Sequence, residues 1–179
     1  LPLEIRRKTR KHPLVVGKAL GNHPASALRQ ARPGDAFIVF SRRDALNLRD
    51  DLLGLGQSVA CIYGALSPAV REREARRFAE GQADVLVATD AIGMGLNLPI
   101  QRVVFTAVQK YDGVRRGDLP VSLLQQIGGR AGRFGHQEEE GLVAGLTPNE
   151  HRLVVAHMKA TQPSVESSGF QITAGAAYL

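Results

Sequence analysis

Largely apolar runs of strand length, alternating with helix-like segments, constrain the fold of this sequence more than any other feature. Five such runs occur: residues 37–40, Val59–Ile62, Val85–Ala88, Arg102–Phe105 and 142–146. A continuous apolar run is typical of a strand covered on both faces, as in a parallel sheet. Because helix-like segments lie between most of these runs, the sequence predicts an α/β domain with a mainly parallel sheet flanked by helices.

Three helix-like segments begin with a residue that is typical of helix N-caps. Ser41, Ser67 and Thr147 can each accept a hydrogen bond from an N–H group of the first helical turn. Pro68 occupies the first helical position, where proline is favoured. Glu150 stands three residues after Thr147, which is the spacing of a capping box. In sheets of this kind ligands bind at the loops beyond the carboxyl ends of the strands, so we expect the site there.

Segments outside this regular pattern predict the domain boundaries. Residues 1–34 are basic and interrupted by prolines, and we interpret them as an interdomain linker and N-terminal extension with a short strand at Leu14–Val16. Residues 35–160 form the predicted domain, and residues 161–179 are interpreted as the start of a following C-terminal region. Within the domain, residues 106–120 are polar and contain two glycines, which is typical of a hairpin.

Charge and cysteine content narrow the class of partner. The formal net charge is +6 and the sequence pI is about 10.0, which agrees with a polyanionic partner such as nucleic acid; a generic basic surface is the alternative. Cys61 is the single cysteine, so an internal disulfide is excluded, and no metal site is predicted. No apolar run of about 18 residues occurs, so no transmembrane helix is predicted.

The residues after the first of these runs can bind phosphate. Ser41 and Arg42 stand at a predicted helix start, where a hydroxyl, a guanidinium and backbone N–H groups can hold a phosphate together. The alternative interpretation is a helix cap with solvated arginines.

A second candidate segment, residues 87–99, begins at the end of the third run. Gly95 and the glycine two positions before it allow the backbone to approach a ligand closely or to adopt a positive φ. Thr89 can donate to a phosphate, Asp90 can orient loop amides, and Asn97 can reach a sugar hydroxyl. The alternative is an ordinary turn after a strand.

A third candidate segment, residues 125–135, has three glycines within five positions. Since the residues from Ser122 onward look helical and glycine costs a helix interior about 1 kcal/mol relative to alanine, these glycines indicate close approach to another group. Arg130 and Arg133 are predicted to share a helix face. Two arginines that point the same way suit a nucleotide triphosphate, and a glycine-rich turn with exposed arginines is the alternative.

These segments together resemble the motifs of superfamily-two helicases. Residues 88–97 are similar to motif V, residues 126–133 (Gln-Ile-Gly-Gly-Arg-Ala-Gly-Arg) to motif VI, residues 40–42 to motif IV, and residues 63–67 to the motif between IV and V. More narrowly, the chain resembles the Suv-three-like DExH-box RNA helicases, which are known from mitochondrial RNA degradation and have bacterial relatives. The resemblance implies the second RecA-like domain of such an enzyme, a three-layer α/β fold.

The resemblance also implies residues that face ATP. Arg130 and Arg133 would be arginine fingers directed at ATP and Mg²⁺ held mainly by the first RecA-like domain of the same parent chain. Gln126 would lie near the triphosphate, and Gly95 and Asn97 beside the nucleotide, with Asn97 near the ribose.

A second set of residues would contact nucleic acid. The resemblance implies that Ser41, Arg42, Gly64 and Thr89 touch the phosphates of one RNA strand. Asp90 is counted with the nucleotide side, because it would organise the motif V loop that links the two sites. A ribonuclease is a further partner that the family suggests, and no membrane partner is expected. The expected location is the cytoplasm for a bacterial protein and the mitochondrion for a eukaryotic one.

Some parts of a complete helicase are missing from the sequence. Neither a G-x-x-x-x-G-K-[ST] phosphate loop nor a DExH tetrapeptide occurs, so we expect a fragment that supplies half of a catalytic site and is inactive alone. Many superfamily members have arginine where this chain has Ile127, so the resemblance does not imply a further triphosphate contact at this position. The alternatives are a domain of a superfamily-two DNA helicase or translocase, a non-catalytic nucleic-acid-binding RecA-like module, and a stand-alone phosphate-binding α/β domain.

Overall fold

A six-stranded parallel sheet forms the centre of the molecule. The computed structural model describes residues 14–93, 96–111, 113–132 and 140–160. The elements in chain order are β1 (Leu14–Val16), α1 (Pro24–Leu28), β2 (Asp35–Ile38), α2 (Arg42–Gly54), β3 (Val59–Ile62), α3 (Pro68–Ala79), β4 (Val85–Ala88), β5 (Arg102–Phe105), β6 (Gln109–Tyr111), β7 (Arg116–Asp118), α4 (Val121–Gly128), β8 (Gly141–Gly145) and α5 (Pro148–Lys159). A 3-10 turn, Asp90–Gly93, follows β4.

The topology of the sheet brings three loops together. The strand order is β1-β8-β5-β2-β4-β3, and every pairing in it is parallel. At the carboxyl end of β2, Ile38 pairs with Phe105 on one side and Ala88 on the other. Because parallel strands end at the same edge, the loops after β2, β3 and β4 lie side by side.

The hydrophobic core covers both faces of the sheet. Successive strand residues point to opposite faces: Phe37 belongs to a cluster with residues of α1 and α2, whereas Ile38 belongs to a cluster with residues of α3, α4 and α5. The resulting three layers confirm the predicted α/β architecture. Cys61 lies in the first cluster, and burial raises the pKa of its thiol to about 11.

Most predicted strands and helix starts are confirmed at residue level. The runs Val59–Ile62, Val85–Ala88 and Arg102–Phe105 are strands with those bounds. The first predicted strand is shifted, since β2 covers Asp35–Ile38 and not residues 37–40. The cause is Asp35, whose fully buried carboxylate receives hydrogen bonds from Nε and Nη2 of Arg102 at 2.8 and 2.6 Å and so anchors the start of the strand.

The N-caps and the hairpin also follow the sequence prediction. Ser41 Oγ accepts from the Asp44 N–H at 3.0 Å, and Ser67 Oγ accepts from the Val70 N–H at 3.4 Å. Thr147 and Glu150 form a capping box at the start of α5. The polar segment between β5 and α4 contains the antiparallel pair β6 and β7. None of the helices in the described parts of the chain is long and apolar enough to span a membrane.

The sheet includes residues that the sequence analysis assigned to a linker. β1 pairs in parallel with β8, and Leu14 lies opposite Gly141. Ala27 and Leu28 of α1 are buried in the core. The part of residues 1–34 that the structure describes therefore packs against the domain, so residue 35 does not mark the beginning of the packed unit.

The arginine-bearing helix ends earlier than predicted. α4 begins at Val121, one residue before the predicted Ser122, and ends at Gly128. Gly132 has a φ of +68°, which breaks helical geometry. The prediction that Arg130 and Arg133 share a helix face is wrong for Arg130, because Arg130 lies in the turn after the helix. Arg133 lies outside the described residues.

Candidate nucleic-acid and nucleotide site

A groove opens where β2, β3 and β4 end. Its volume is about 400 Å³. Its lining residues are Phe40, Ser41, Arg42, Tyr63, Gly64, Ala65, Thr89, Asp90, Ala91, Leu123, Gln126 and Ile127. We call this set the groove. All four residues predicted to touch RNA phosphates line it, although they are spread over 49 positions of the sequence from Ser41 to Thr89.

At one corner of the groove Ser41 is engaged in capping. Ser41 Oγ donates to the Asp44 carboxylate at 2.6 Å while it accepts from the Asp44 N–H. The hydroxyl proton is thereby used within the protein. The groups at this corner that could hold a phosphate are the N–H groups of Arg42 and Arg43, which open α2, and the Arg42 guanidinium.

The Arg42 guanidinium lies over the aromatic ring of Tyr63. The guanidinium carbon lies 5.5 Å from the centroid of the Tyr63 ring, which is a cation–π distance. Arg42 is exposed and Tyr63 is half-buried. The ring limits the positions that a long flexible side chain can take, and the guanidinium stays accessible at the groove.

Gly64 forms an open part of the groove wall. The Gly64 carbonyl accepts a hydrogen bond from Arg71 Nη2 at 3.1 Å, which ties the loop after β3 to α3. A Cβ atom built on Gly64 would meet nothing within 4 Å. Packing within the described protein therefore does not require glycine here, whereas close approach by a ligand would.

The loop after β4 contributes a hydroxyl and the one carboxylate among the lining residues. Thr89 is buried, and its Oγ1 accepts from the Ala91 N–H at 3.4 Å. Asp90 forms an ion pair with Lys110 of β6. Asp90 was predicted to orient loop amides; among the described contacts its carboxylate binds a lysine of the hairpin.

Helix α4 forms the opposite wall. Gln126 is exposed and lines the groove together with Leu123. The structure thus brings Gln126, predicted to lie near the triphosphate, together with the residues predicted to bind RNA. Ile127, where many superfamily members have arginine, is fully buried and packs into the core.

Two further residues predicted on the nucleotide side, Arg130 and Asn97, are not among the groove-lining residues. Arg130 Nη1 donates to the Leu96 carbonyl at 3.2 Å, which joins the turn after α4 to the end of the motif V segment. Asn97 is exposed next to Leu96. Arg133 and Gly95 lie outside the described residues. Arg130 therefore contacts the residue that precedes Asn97, and a shared nucleotide face for the two residues stays a prediction.

Glycines near motif VI are explained by packing against the sheet. Gly128, Gly132, Gly141 and Gly145 form what we call the glycine seam. A Cβ on Gly132 would lie 2.6 Å from Gly141 Cα, and the Gly132 N–H donates to the Ile100 carbonyl at 2.8 Å. The predicted close approach is thus met by protein backbone.

The other half of the glycine seam joins β8 to α5. A Cβ on Gly145 would lie 2.2 Å from the backbone nitrogen of His151, so a side chain cannot fit there. The Gly145 N–H donates to His151 Nδ1 at 3.2 Å, and burial lowers the pKa of His151. At Gly128 the nearest atom would be Met158 Sδ at 3.1 Å, a contact with a flexible side chain.

Three contacts around the groove were missed by sequence reasoning. Tyr63 and Gly64 belong to a recognised motif, but no role was assigned to Tyr63. Arg71 and Lys110 carried no signal, because each acts on a residue at least seven positions away. Within the described residues, no group of three or more His, Cys, Asp or Glu side chains is arranged to hold a metal ion.

A family comparison agrees with this fold and site. Residues 20–135, more than half of the chain, match the model of the helicase conserved C-terminal domain. The chain belongs to this family.

Comparison with individual relatives identifies a narrower group of helicases. The chain is 44% identical over 147 residues to the mitochondrial ATP-dependent RNA helicase SUV3 of Candida albicans, covering 80% of this chain and 20% of that protein. It is 38% identical over 170 residues to the mitochondrial DExH-box ATP-dependent RNA helicase DExH16 of Arabidopsis thaliana, covering 93% of this chain and 29% of that one. The similarity to Suv-three-like helicases is therefore confirmed, over less than a third of the relatives' length.

Solved structures share the fold at low identity. The C-terminal domain of the DEAD-box protein Dbp5 aligns with a TM-score of 0.61 and 18% identity, covering 82% of this chain and 83% of that one. The Escherichia coli DEAD-box protein SrmB, in a complex with RraA, aligns with a TM-score of 0.61 and 19% identity, covering 84% and 85%. These similarities confirm the RecA-like helicase C-terminal architecture.

Proposed function

We propose that this chain is the second RecA-like domain of an ATP-dependent RNA helicase, where it supplies half of the RNA-binding groove and arginine fingers for ATP hydrolysis. The most similar proteins named above are ATP-dependent RNA helicases, and the chain spans about a fifth to less than a third of their length. The activity therefore belongs to a longer protein that also carries the phosphate loop and the acidic tetrapeptide absent from these residues.

The convergence of the groove residues carries this proposal. Three strand-end loops contribute a helix N-terminus with Arg42, an open glycine at position 64 and the Thr89 hydroxyl to one groove. These groups suit the phosphates of a nucleic-acid backbone: N–H and hydroxyl donors, one guanidinium and a wall without a Cβ atom. None of the assigned RNA contacts reads a base edge, so we expect strong salt dependence and little sequence preference.

The arginines after α4 suit the γ-phosphate of ATP held by the other RecA-like domain. Arg130 is tethered to Leu96, so its guanidinium is positioned by the segment that carries Asn97. Arginine fingers stabilise the charge that develops as the γ-phosphoryl group transfers. Mg²⁺ would be held by the first domain, since hard cations require clustered oxygen ligands. Arg133, Gln126 and Gly95 complete the proposed nucleotide side.

Coupling between the two sites is proposed to occur through α4 and the loop after β4. Gln126 lines the groove and Arg130 follows it by one helical turn in sequence, so a closure that moves Arg130 towards ATP also moves the groove wall. Closure would grip the RNA strand, and hydrolysis would release it. Asp90 contributes by holding the loop after β4.

The wider biological setting follows the resemblance. We propose single-stranded or partly duplex RNA as substrate, the first RecA-like domain of the same chain as partner, and a ribonuclease as a further partner. The location would be mitochondrial in a eukaryote and cytoplasmic in a bacterium. We place the RecA-like domain at residues 35–160 together with the segment from residue 14 that packs against it, the interdomain linker within residues 1–34, and the start of a following region at residues 161–179.

ATP hydrolysis by the full-length protein tests this function. Turnover would be measured without nucleic acid, with single-stranded RNA and with single-stranded DNA of equal length. We expect stimulation mainly by RNA. Equal or greater stimulation by DNA would favour a DNA helicase or translocase, and absence of hydrolysis would favour a non-catalytic binding module.

A matched pair of arginine variants sharpens the assay. Arg130→Ala is expected to lower stimulated turnover about 10³-fold while RNA affinity stays within about twofold, because the finger acts on ATP. Arg152→Ala removes an exposed arginine of α5 that binds Asn149 and should leave turnover unchanged. Unchanged turnover in Arg130→Ala would remove it as a finger.

A further inference from the structure

The groove contains a carboxylate that opposes its proposed ligand. Of its lining residues, Asp90 alone is acidic and Arg42 alone is basic. The Asp90 side chain is 33% exposed. A phosphate backbone passing this wall would meet a negative charge at short range, and such like-charge pairs disfavour binding.

Lys110 neutralises this carboxylate from outside the groove. Lys110 Nζ forms an ion pair with Asp90 Oδ2, although the two residues are 20 positions apart. Lys110 is not among the groove-lining residues. Its ammonium group therefore compensates the charge without belonging to the set of residues that line the groove.

Contacts across the two-stranded hairpin hold the strand that carries Lys110. Lys110 lies opposite Gly117 in the antiparallel pair of β6 and β7. The side chains of Gln109 and Asp118 bond across the hairpin at 3.0 Å, and the Leu119 N–H donates to the Val108 carbonyl at 2.9 Å. Leu119 is buried, which anchors the base of the hairpin in the core.

We propose that Lys110 is a positioning and charge-compensating residue that makes the groove able to accept a polyanion. It holds the Asp90 side chain, and with it the loop after β4, and cancels the negative charge next to the path of the phosphates. The hairpin between β5 and α4 thus has a function in binding RNA without touching it. This inference rests on the proposed function, because it concerns the same groove.

The physical effect of losing Lys110 depends on salt. An unpaired Asp90 would repel phosphates through a medium of intermediate dielectric constant, where unit charges a few ångströms apart interact appreciably. Mobile ions screen this repulsion as the ionic strength rises. A loss of RNA affinity that shrinks with salt and disappears when Asp90 is also neutralised is the signature of charge compensation. Direct phosphate binding by Lys110 would not produce that rescue.

The experiment is a double-mutant cycle in the full-length protein. The affinity for a labelled single-stranded RNA is measured without ATP at about 50 mM and about 200 mM salt. The variants are Lys110→Gln, Asp90→Asn, the two combined, and Lys110→Arg. We expect Lys110→Gln to weaken binding about tenfold at the lower salt, and less at the higher. The double variant should bind within about twofold of Asp90→Asn, and Lys110→Arg within about twofold of the wild type.

Each result has a defined meaning. Wild-type affinity in Lys110→Gln, or a double variant as weak as Lys110→Gln, would overturn the inference and leave the proposed function intact. If the wild type itself bound no RNA, the proposed function would fail first. Melting temperatures of all four variants provide the folding control, and a double variant that melts like Lys110→Gln but binds RNA tightly would still support compensation.

Discussion

Gly64 in the groove and Gly132 in the glycine seam differ in what surrounds their missing side chains. A Cβ on Gly64 would enter open space, whereas a Cβ on Gly132 would lie 2.6 Å from Gly141 Cα. Gly132 also has a φ of +68°, a conformation that L side chains rarely adopt. The protein's own backbone requires glycine at position 132, whereas packing does not require it at position 64, where we propose that it leaves room for a ligand.

The largest expected effect is on stability, in the glycine seam. Gly132→Ala should lower the free energy of unfolding by about 3 kcal/mol or more, because it adds left-handed strain to a backbone clash. Gly64→Ala should change it by less than about 0.5 kcal/mol. Urea denaturation of both variants measures the difference. Similar losses in the two variants would break the comparison.

The next effect is on binding, in the groove. Gly64→Ala should weaken RNA binding about fivefold at unchanged melting temperature, because a methyl group occupies space where a phosphate would approach, a contact we value at about 1 kcal/mol. Fluorescence anisotropy with the full-length protein measures the affinity. Gly54→Ala, in α2, is the matched control, since a Cβ there also meets nothing within 4 Å and Gly54 lies outside the groove. Equal affinity in the two variants would show that RNA does not approach Gly64.

The smallest effect is a pH dependence in the glycine seam. Burial lowers the pKa of His151, whose Nδ1 accepts from the Gly145 N–H. Neutral His151 therefore contributes its full stability above the unfolded-state pKa of about 6.5. This contribution is lost as the pH falls through the lower folded-state pKa. Unfolding curves at neutral and mildly acidic pH should show this loss. In His151→Gln the part of the pH dependence that His151 causes should vanish. An identical pH dependence in the variant would assign the effect to other groups.

How far the sequence predicts this molecule depends on how local each interaction is. Ser41 caps α2 through Asp44, three residues away, so the sequence alone predicts this cap. The end of α4 was predicted too late, since a helical pattern and a pair of arginines three residues apart do not reveal that Gly132 packs on Gly141. The shift of β2 likewise depends on Arg102, which lies 67 positions after Asp35.

The candidate site divides in the same way. Local reasoning predicted that Ser41, Arg42 and Thr89 can bind phosphate, and the motif resemblance added Gly64 and assigned all four to RNA; the groove brings these four residues together. Gln126 was assigned to the nucleotide, yet it lines the groove. A motif identifies residues that act together. It does not show which side of a helix such as α4 each residue occupies, because that depends on where the helix starts and ends.

Local patterns in the sequence were enough to predict the α/β class, most strands and helices along the chain and the caps at Ser41, Ser67 and Thr147, because apolar runs and capping residues act within a few positions. The folded structure was needed to show that Tyr63 packs on Arg42, that Arg71 holds the Gly64 loop and that Lys110 pairs with Asp90. Those contacts join side chains from different elements. Their partners are set by strand order and by the path of the hairpin, which no local pattern encodes.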